Sequence, residues 1–392
     1  MKVPLLDLTP QNHPLEDEFV AAFREVLHSN RFILGPKVEE LEEKLATLCE
    51  TKHAIGVSSG TDALLLAFMA LGLGPGDEVL CPTFTFFATA GCISRTGATP
   101  VFVDACPVCF NIDVNDARRK ITENTKAIVP VHLFGQAAEM DSIMALAKEH
   151  NLHVVEDAAQ AIGSKYKGKA VGGFGDFGTY SFFPSKNLGG FGDGGMLVCN
   201  DDELYEMAKI LRVHGSKPKY EHKYIGANFR LDPLQAAMLL VKLPHYGSYT
   251  EGRKQNAALY LEQLLQRDDV VQADPSNCGC SEAAKVPSDG PRLTLPVAYQ
   301  HNDHIWNQFT MRVHGSGQRD ALKAHLQSHD IGCEVYYPIS MHQQPCFASL
   351  PASACPVAEI LSNEVLSLPV FPELTSEQQQ FVVDQIQSFL HN

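Results

Sequence analysis

Between residues 53 and 159 short apolar runs alternate with longer stretches of helical periodicity, and this alternation restricts the chain to few architectures. HAIGVSS (53–59) reads as a strand, TDALLLAFMALGL as a helix, DEVLCP as a strand and TFFATAGCISRTG as a helix. PVFVDA and AIVPVHLFG read as strands, MDSIMALAKEHN as a helix and LHVVEDAA as a strand. Upstream, Val38, Leu41, Leu45 and Leu48 recur at helical spacing among charged residues. Buried strands joined through helices need right-handed crossovers, so the pattern predicts an α/β fold with a mainly parallel sheet covered on both faces. A further helix, LDPLQAAMLLVKL (231–243), ends at Pro244, and another runs from Tyr249 to Leu265. A loop rich in Cys, Gly, Pro and Ser follows from Asp274 to Pro291. Beyond it FTMRVHG, DALKAHLQSHD, CEVYYP and SEQQQFVVDQIQSFL read as a small α+β unit. The predicted boundary divides a large domain (1–245, including the N-terminal segment) from a small C-terminal domain (246–392).

Charge narrows the partners. With 46 acidic against 31 basic residues the formal charge is −15, which repels phosphodiester backbones and argues against nucleic acid. The longest strongly apolar run, Ala63 to Gly74, is about half the roughly 20 residues of a membrane span. The opening MKVPLLDLTPQNHPLEDEF lacks the long apolar core of a secretion signal, so the expected location is cytoplasmic. Eleven cysteines are scattered rather than framed, as in a protein with reduced thiols. Cys106 with Cys109 forms a CxxC and Cys278 with Cys280 a CxC, and such thiolates could bind zinc. The pairs stand in unlike contexts with no second close knuckle, so the expectation is ordinary loop thiols and no metal.

Several segments carry chemistry. Gly72, Gly74 and Gly76 imitate a dinucleotide fingerprint, but they end a helix and precede a strand, the reverse of the order a pyrophosphate site needs. SSGTDAL (58–64) has the right order: Gly60 and Thr61 would open a helix whose free N–H groups can hold a phosphate, or Ser59 or Thr61 would simply cap it. In LHVVEDAAQAIG the strand ends on Glu156 and Asp157, where open α/β sheets place ligands. A carboxylate there needs a cation, and a protonated ring nitrogen is one candidate. In GDFGTYSFFPSKNLGGFGDGGMLV the strand TYSFF delivers Lys186 into a loop holding five glycines, Gly189, Gly190, Gly192, Gly194 and Gly195. Backbone can approach a bound group closely there, and the lysine could form an imine with an aldehyde.

The combination SSGTDAL, PTFTFFAT, VEDAAQAIG, SFFPSKNLGGFGDGG and ANFRLDPLQAAML, in this order and spacing, resembles the DegT/StrS family of sugar-nucleotide aminotransferases, which use pyridoxal 5'-phosphate on the aspartate-aminotransferase (fold type I) scaffold. The resemblance runs from RFILGP near the start to VYYPISMHQQP and LSLPVF near the end. It implies that Lys186 bonds covalently to the cofactor aldehyde and shuttles the substrate proton, and that Asp157 faces the pyridinium nitrogen. Phe86 would stack on the ring, Gln160 would lie near its phenolic oxygen, and Gly60, Thr61 and Ser181 would contact the phosphate. Asn228 would reach into the neighbouring subunit's site of a homodimer; the alternative is that it caps the helix beginning near Leu231.

The implied activity moves an amino group, with L-glutamate as the expected donor, to a nucleotide-linked keto-sugar in amino-sugar synthesis for surface polysaccharide or a glycosylated metabolite. Some relatives replace the lysine by histidine and are dehydratases, so Lys186 argues for amino transfer. Asp193 stands where many 4-keto enzymes carry glutamate, which favours a 3-keto sugar. In RVHGSKPKYEHKYIGANFR (212–230), His214, Lys219, Tyr220 and Arg230 are candidate contacts to the substrate diphosphate, against the alternative of solvated surface. Two rivals remain open at this stage: a pyridoxal-phosphate-binding regulator without turnover, and a different chemistry of the same cofactor such as sugar dehydration or cysteine desulfuration.

Overall fold

The computed structural model describes residues 1–278, 284 and 289–391. The first strands in chain order are β1 (His53–Val57), β2 (Glu78–Pro82), β3 (Thr99–Val103), β4 (Thr125–Ile128) and β5 (His153–Asp157). A small hairpin, β6 (Lys165–Tyr166) and β7 (Lys169–Ala170), precedes β8 (Phe177–Ser181) and β9 (Gly195–Cys199). A seven-stranded sheet forms in the order β1-β9-β8-β5-β4-β2-β3. Its strands pair in parallel except at β9, which runs antiparallel to both β8 and β1. The expected mainly parallel α/β sheet is present.

Burial on both faces explains the near-continuous apolar strands. Ile55, Val79, Ala127, Val155 and Leu197 enter one hydrophobic core, and their chain neighbours Ala54, Leu80, Ile128, Val154 and Val198 enter the other. The alternation is the two-residue period of a strand with helices against each face. Helix Pro36–Leu48 buries Val38, Leu41 and Leu45 as its periodicity predicts, with Pro36 in the first turn where no N–H is needed.

The later strands are β10 (Val270–Gln272), β11 (Leu293–Leu295), β12 (Asn302–Asp303), β13 (Phe309–Val313) and β14 (Val365–Leu368). They make a second sheet, β10-β11-β13-β14, while β12 returns to pair with β6. Val3 bridges Ile331, so the N-terminal segment also crosses to the C-terminal part.

Sequence and structure differ in places. AIVPVHLFG is not one strand: β4 stops at Ile128, and Pro130 has no N–H to continue a ladder. A tight turn, Leu133–Gly135, follows with Phe134 at φ 58°. CEVYYP forms no strand, only an isolated bridge from Glu334 to Ser367. The helix expected from Tyr249 begins at Tyr246. Among the described residues no helix is long and apolar enough to cross a membrane.

Candidate active site

The carboxyl ends of the parallel strands converge on one cleft, the position at which open α/β sheets bind ligands. The turn after β1 starts helix Gly60–Ala70, with Ser59 accepting the Asp62 N–H at 3.0 Å as its cap. The cap is therefore Ser59, which leaves the first N–H groups of Gly60 and Thr61 to face the cleft. A Cβ on Gly60 would fall 2.8 Å from Cβ of Ser181 at the end of β8, so glycine is what brings these two strand ends together. Gly195 at the start of β9 is equally constrained, since a Cβ there would meet the Ser59 carbonyl at 2.5 Å.

Strand alternation sends the two acids at the end of β5 to different work. Glu156 is fully buried and accepts N–H groups of Gly172 (2.7 Å), Phe174 (2.7 Å) and Gly175 (2.9 Å) and the Nε2 proton of His132 (3.0 Å). His132 Nδ1 accepts from the Ala138 N–H at 3.0 Å, so the ring is the neutral Nε2–H tautomer and Glu156 is a structural anion. Asp157 points to the opposite side, toward Thr89 and Lys186. Its Oδ2 accepts the Thr89 hydroxyl at 2.7 Å and its Oδ1 the Ala159 N–H at 3.2 Å. Burial pushes the Asp157 carboxyl above its ordinary range, against the pull of these donors and of Lys186.

Lys186 follows β8 in a turn closed by its own N–H to the Phe183 carbonyl at 2.8 Å. Among the described residues its amine makes no hydrogen bond. Burial pushes it down to about 8, and the Asp157 charge opposes that shift. An amine held there is a nucleophile near neutral pH. The glycine-rich loop beyond it is anchored from behind by buried Lys242, whose Nζ donates to the Gly189 carbonyl at 2.8 Å.

The remaining candidates divide. Phe86 precedes helix Phe87–Thr96, is 57% exposed with its ring 6.4 Å from that of Tyr337, and lines a cavity with Thr61. Gln160 accepts the Phe134 N–H at 2.7 Å and donates to the Tyr337 hydroxyl at 3.2 Å, so its amide orientation is fixed. Arg230 bridges Val57 beside the Ser58–Gly60 turn, and its buried Nε has no partner. His214, Lys219 and Tyr220 are exposed on the loop that starts and ends at the Val213–Asn228 bridge, with the Lys219 amine over the Tyr220 ring at 5.0 Å. Asn228 is exposed and caps nothing, because the helix starts at Pro233 behind Asp232. Sequence reasoning missed Thr89, His132 and Tyr337 as individual residues. Tyr337 stands inside VYYPISM and Thr89 closes PTFTFFAT, whereas only the assembled fold reveals His132.

The two cysteine pairs need a correction. Cys106, Cys109 and Cys278 come together with all sulfurs within 4.8 Å of one another, although their sequence contexts predict unrelated loop thiols. The chain folds the edge loop after β3 against the turn Pro275–Asn277, a contact no spacing discloses. Cys280 lies outside the described residues.

An amine in the turn after β8 and a carboxylate at the end of β5, near enough to influence each other electrostatically, define the class of the fold type I aminotransferases on this mainly parallel sheet. The chain matches the DegT/DnrJ/EryC1/StrS aminotransferase family over residues 14–387, and it belongs to that family. It is 49% identical, over 99% of both chains, to a Geobacillus stearothermophilus protein named pleiotropic regulatory protein. It is 44% identical, over 99% of this chain and 98% of the relative, to the UDP-N-acetyl-3-dehydro-alpha-D-glucosamine 3-aminotransferase of Acidithiobacillus ferrooxidans. Its structure superposes with a TM-score of 0.90 and 40% identity on Streptomyces venezuelae DesV crystallised with a ketimine intermediate, covering 100% of this chain and 99% of that one.

Proposed function

We propose that this chain is a pyridoxal 5'-phosphate-dependent transaminase that moves an amino group from L-glutamate to the 3-keto position of a nucleotide-linked sugar. The observation that carries this reading is Lys186 facing Asp157 in the cleft, its amine pushed down to about 8. The residues fit the cofactor. Gly60, Thr61 and Ser181 offer N–H and hydroxyl groups for its phosphate, Phe86 an open face for its ring, and buried Asp157 an anion in want of a cation. When bound, the cofactor supplies an electron sink for the carbon from which a proton is removed.

The chain's own residues do the rest. Asp157 would hold a proton on the ring nitrogen, because a buried anion favours the charged form of its partner. Thr89 and the Ala159 N–H fix the orientation of that carboxylate. The Lys186 amine would hold the cofactor at its aldehyde and, once released by the amino donor, would carry the proton taken from the substrate carbon. Gln160, held by Phe134 and Tyr337, orients the ring edge. Arg230, with an unpartnered buried Nε, offers a donor to an anionic substrate group, and His214, Lys219 and Tyr220 offer an exposed rim for the diphosphate.

The same proposal includes a homodimer in which Asn228 of the partner subunit completes each site, a cytoplasmic location, and the division into 1–245 and 246–392. The seven-stranded sheet lies within the first part and β10-β11-β13-β14 within the second, which supports that division. The relative named as a regulator favours a second reading, in which the chain binds cofactor and sugar without turnover. Fold and cofactor alone do not separate the two. Incubation with L-glutamate and a panel of UDP- and TDP-linked 3-keto and 4-keto sugars, with mass spectrometry of the products, does. An aminated 3-keto sugar is the expected result. Spectral conversion by glutamate with no sugar aminated, or no conversion at all, rejects the proposal.

A further inference from the structure

The edge strand β3 ends at Val103, and the chain then makes a tight loop before helix Val114–Lys120. Ala105 bridges Ile112 across its base, the Cys106 N–H donates to the Asn111 carbonyl at 2.7 Å and the Phe110 N–H to the Cys106 carbonyl at 3.0 Å. Phe110 takes φ 66° to close the turn. Within this loop Cys106-Pro107-Val108-Cys109 presents two sulfurs on one side, and the Val108 N–H approaches Cys106 Sγ at 3.5 Å. An N–H directed at a sulfur from two residues beyond it is the outer-shell support a thiolate ligand requires.

Cys278 completes the group from the other half of the chain, with its Sγ 3.1 Å from that of Cys106. Zinc bound to thiolates at about 2.3 Å spaces its sulfurs about 3.8 Å apart, a spacing that falls between the 3.1 Å of the Cys106–Cys278 pair and the 4.8 Å within which all three sulfurs lie. A disulfide would need two of them at about 2.05 Å and would leave the third without a role. Val108, Val297, Ala273 and Tyr299 form an apolar shell, and the group lines a cleft that reaches solvent, which gives an ion its way in. The Tyr299 hydroxyl is buried without a hydrogen-bond partner beside these sulfurs.

We infer that Cys106, Cys109 and Cys278 form a structural zinc site that clips the segment after β10 onto the loop at the edge of the main sheet. Binding releases the thiol protons to solvent, and three thiolates leave one position of the tetrahedron for water or a further side chain. The site bears on the active-site wall. Phe110 packs edge-on to Phe134 at 5.7 Å, Asn111 accepts the Leu133 N–H at 2.9 Å, and Phe134 in turn donates its N–H to Gln160. The clip therefore steadies the turn that orients Gln160.

The test uses full-length protein produced in zinc-supplemented medium and purified under reducing conditions. Metal analysis should find about one zinc per chain, and cobalt(II) added to chelator-treated protein should give a thiolate-to-metal charge-transfer band that zinc abolishes. Cys106→Ser, Cys109→Ser and Cys278→Ser should each lose stoichiometric zinc and most of that band. Should a serine variant fail to fold, the wild-type cobalt band and its displacement by zinc still decide. Absence of both stoichiometric zinc and a cobalt band in the wild type, an unchanged zinc content in all three variants, or a Cys106–Cys278 disulfide found by peptide mapping of the reduced preparation would each overturn the site.

Discussion

Thr89 gives its hydroxyl proton to Oδ2 of Asp157 at 2.7 Å, across 68 positions of sequence, and both groups are buried. The pair ties the helix that carries the Phe86 ring to the strand that carries the anion, so the two sides of the proposed cofactor slot move together. Thr89→Val keeps the shape and removes the donor. The Asp157 carboxylate then loses a charge-assisted bond, a loss of about 1.5–3 kcal/mol. The expected outcome is a kcat lower by about tenfold to a hundredfold with KM for glutamate little changed and the pH profile displaced. Thr89→Ser should restore the profile, and a valine variant with wild-type kcat would remove Thr89 from this role.

Asp157→Asn leaves the hydrogen bonds of an amide but no charge to hold the ring proton. The protein should keep its cofactor while losing about 3 kcal/mol of transition-state stabilisation, the scale of a removed electrostatic partner. Steady-state rates beside the absorption spectrum of the bound cofactor check this. An unchanged rate together with an unchanged spectrum would exclude Asp157 as the partner of the ring nitrogen.

Lys186 has a folded value near 8, below the 10.5 of a free lysine. Below about 8 both folded and unfolded chains carry the proton, and the folded state bears the full cost of a buried ammonium. Between 8 and 10.5 the unfolded chain binds more protons, so stability rises with pH across that window. Lys186→Met should therefore raise the melting temperature of the cofactor-free protein at pH 7, with the gain shrinking as pH rises from about 8 to 10.5 and gone above that. Scanning calorimetry across pH reads it, and a gain independent of pH would point to packing rather than charge. In the wild type, covalent capture of added pyridoxal 5'-phosphate should accelerate as pH rises through about 8, where the amine becomes neutral.

Glu156 separates structure from chemistry on adjacent positions. Its carboxylate holds three loop N–H groups and His132. Glu156→Ala leaves those donors buried and should destabilise by about 3–5 kcal/mol. Urea unfolding measures the loss, and a change below about 1 kcal/mol would mean that water replaces the carboxylate.

Much of this was legible in the sequence for a physical reason. A strand buried on both faces must be apolar, and a turn that brings Gly60 against Ser181 must lack a Cβ, so β1 to β5 and the glycine-framed segments announce themselves. Lys186 stood out because glycines crowd around it. What stayed hidden depends on contacts between distant segments. Thr89 is one threonine among several until β5 lies beside its helix, and Cys278 is an ordinary loop thiol until its turn meets the loop after β3. Pro130 ended a run that hydrophobicity alone extended to Gly135, because apolar content does not report a missing N–H.

The assembly proposal turns on Asn228, which is exposed in one protomer and caps no helix. In a two-fold homodimer an exposed residue serving the partner's site does so twice by symmetry. A Lys186→Ala protomer retains Asn228, and an Asn228→Asp protomer retains Lys186, so a mixed dimer holds one site with both residues intact and one with both damaged. Each parent homodimer should be weak, the first lacking its amine and the second setting a carboxylate against phosphate. Co-refolding the two should recover about a quarter of wild-type activity, because random pairing makes about half the dimers mixed and each of those has a single intact site. No recovery despite heterodimers proven by mass spectrometry, or a fully active monomer in sedimentation, would confine Asn228 to its own chain.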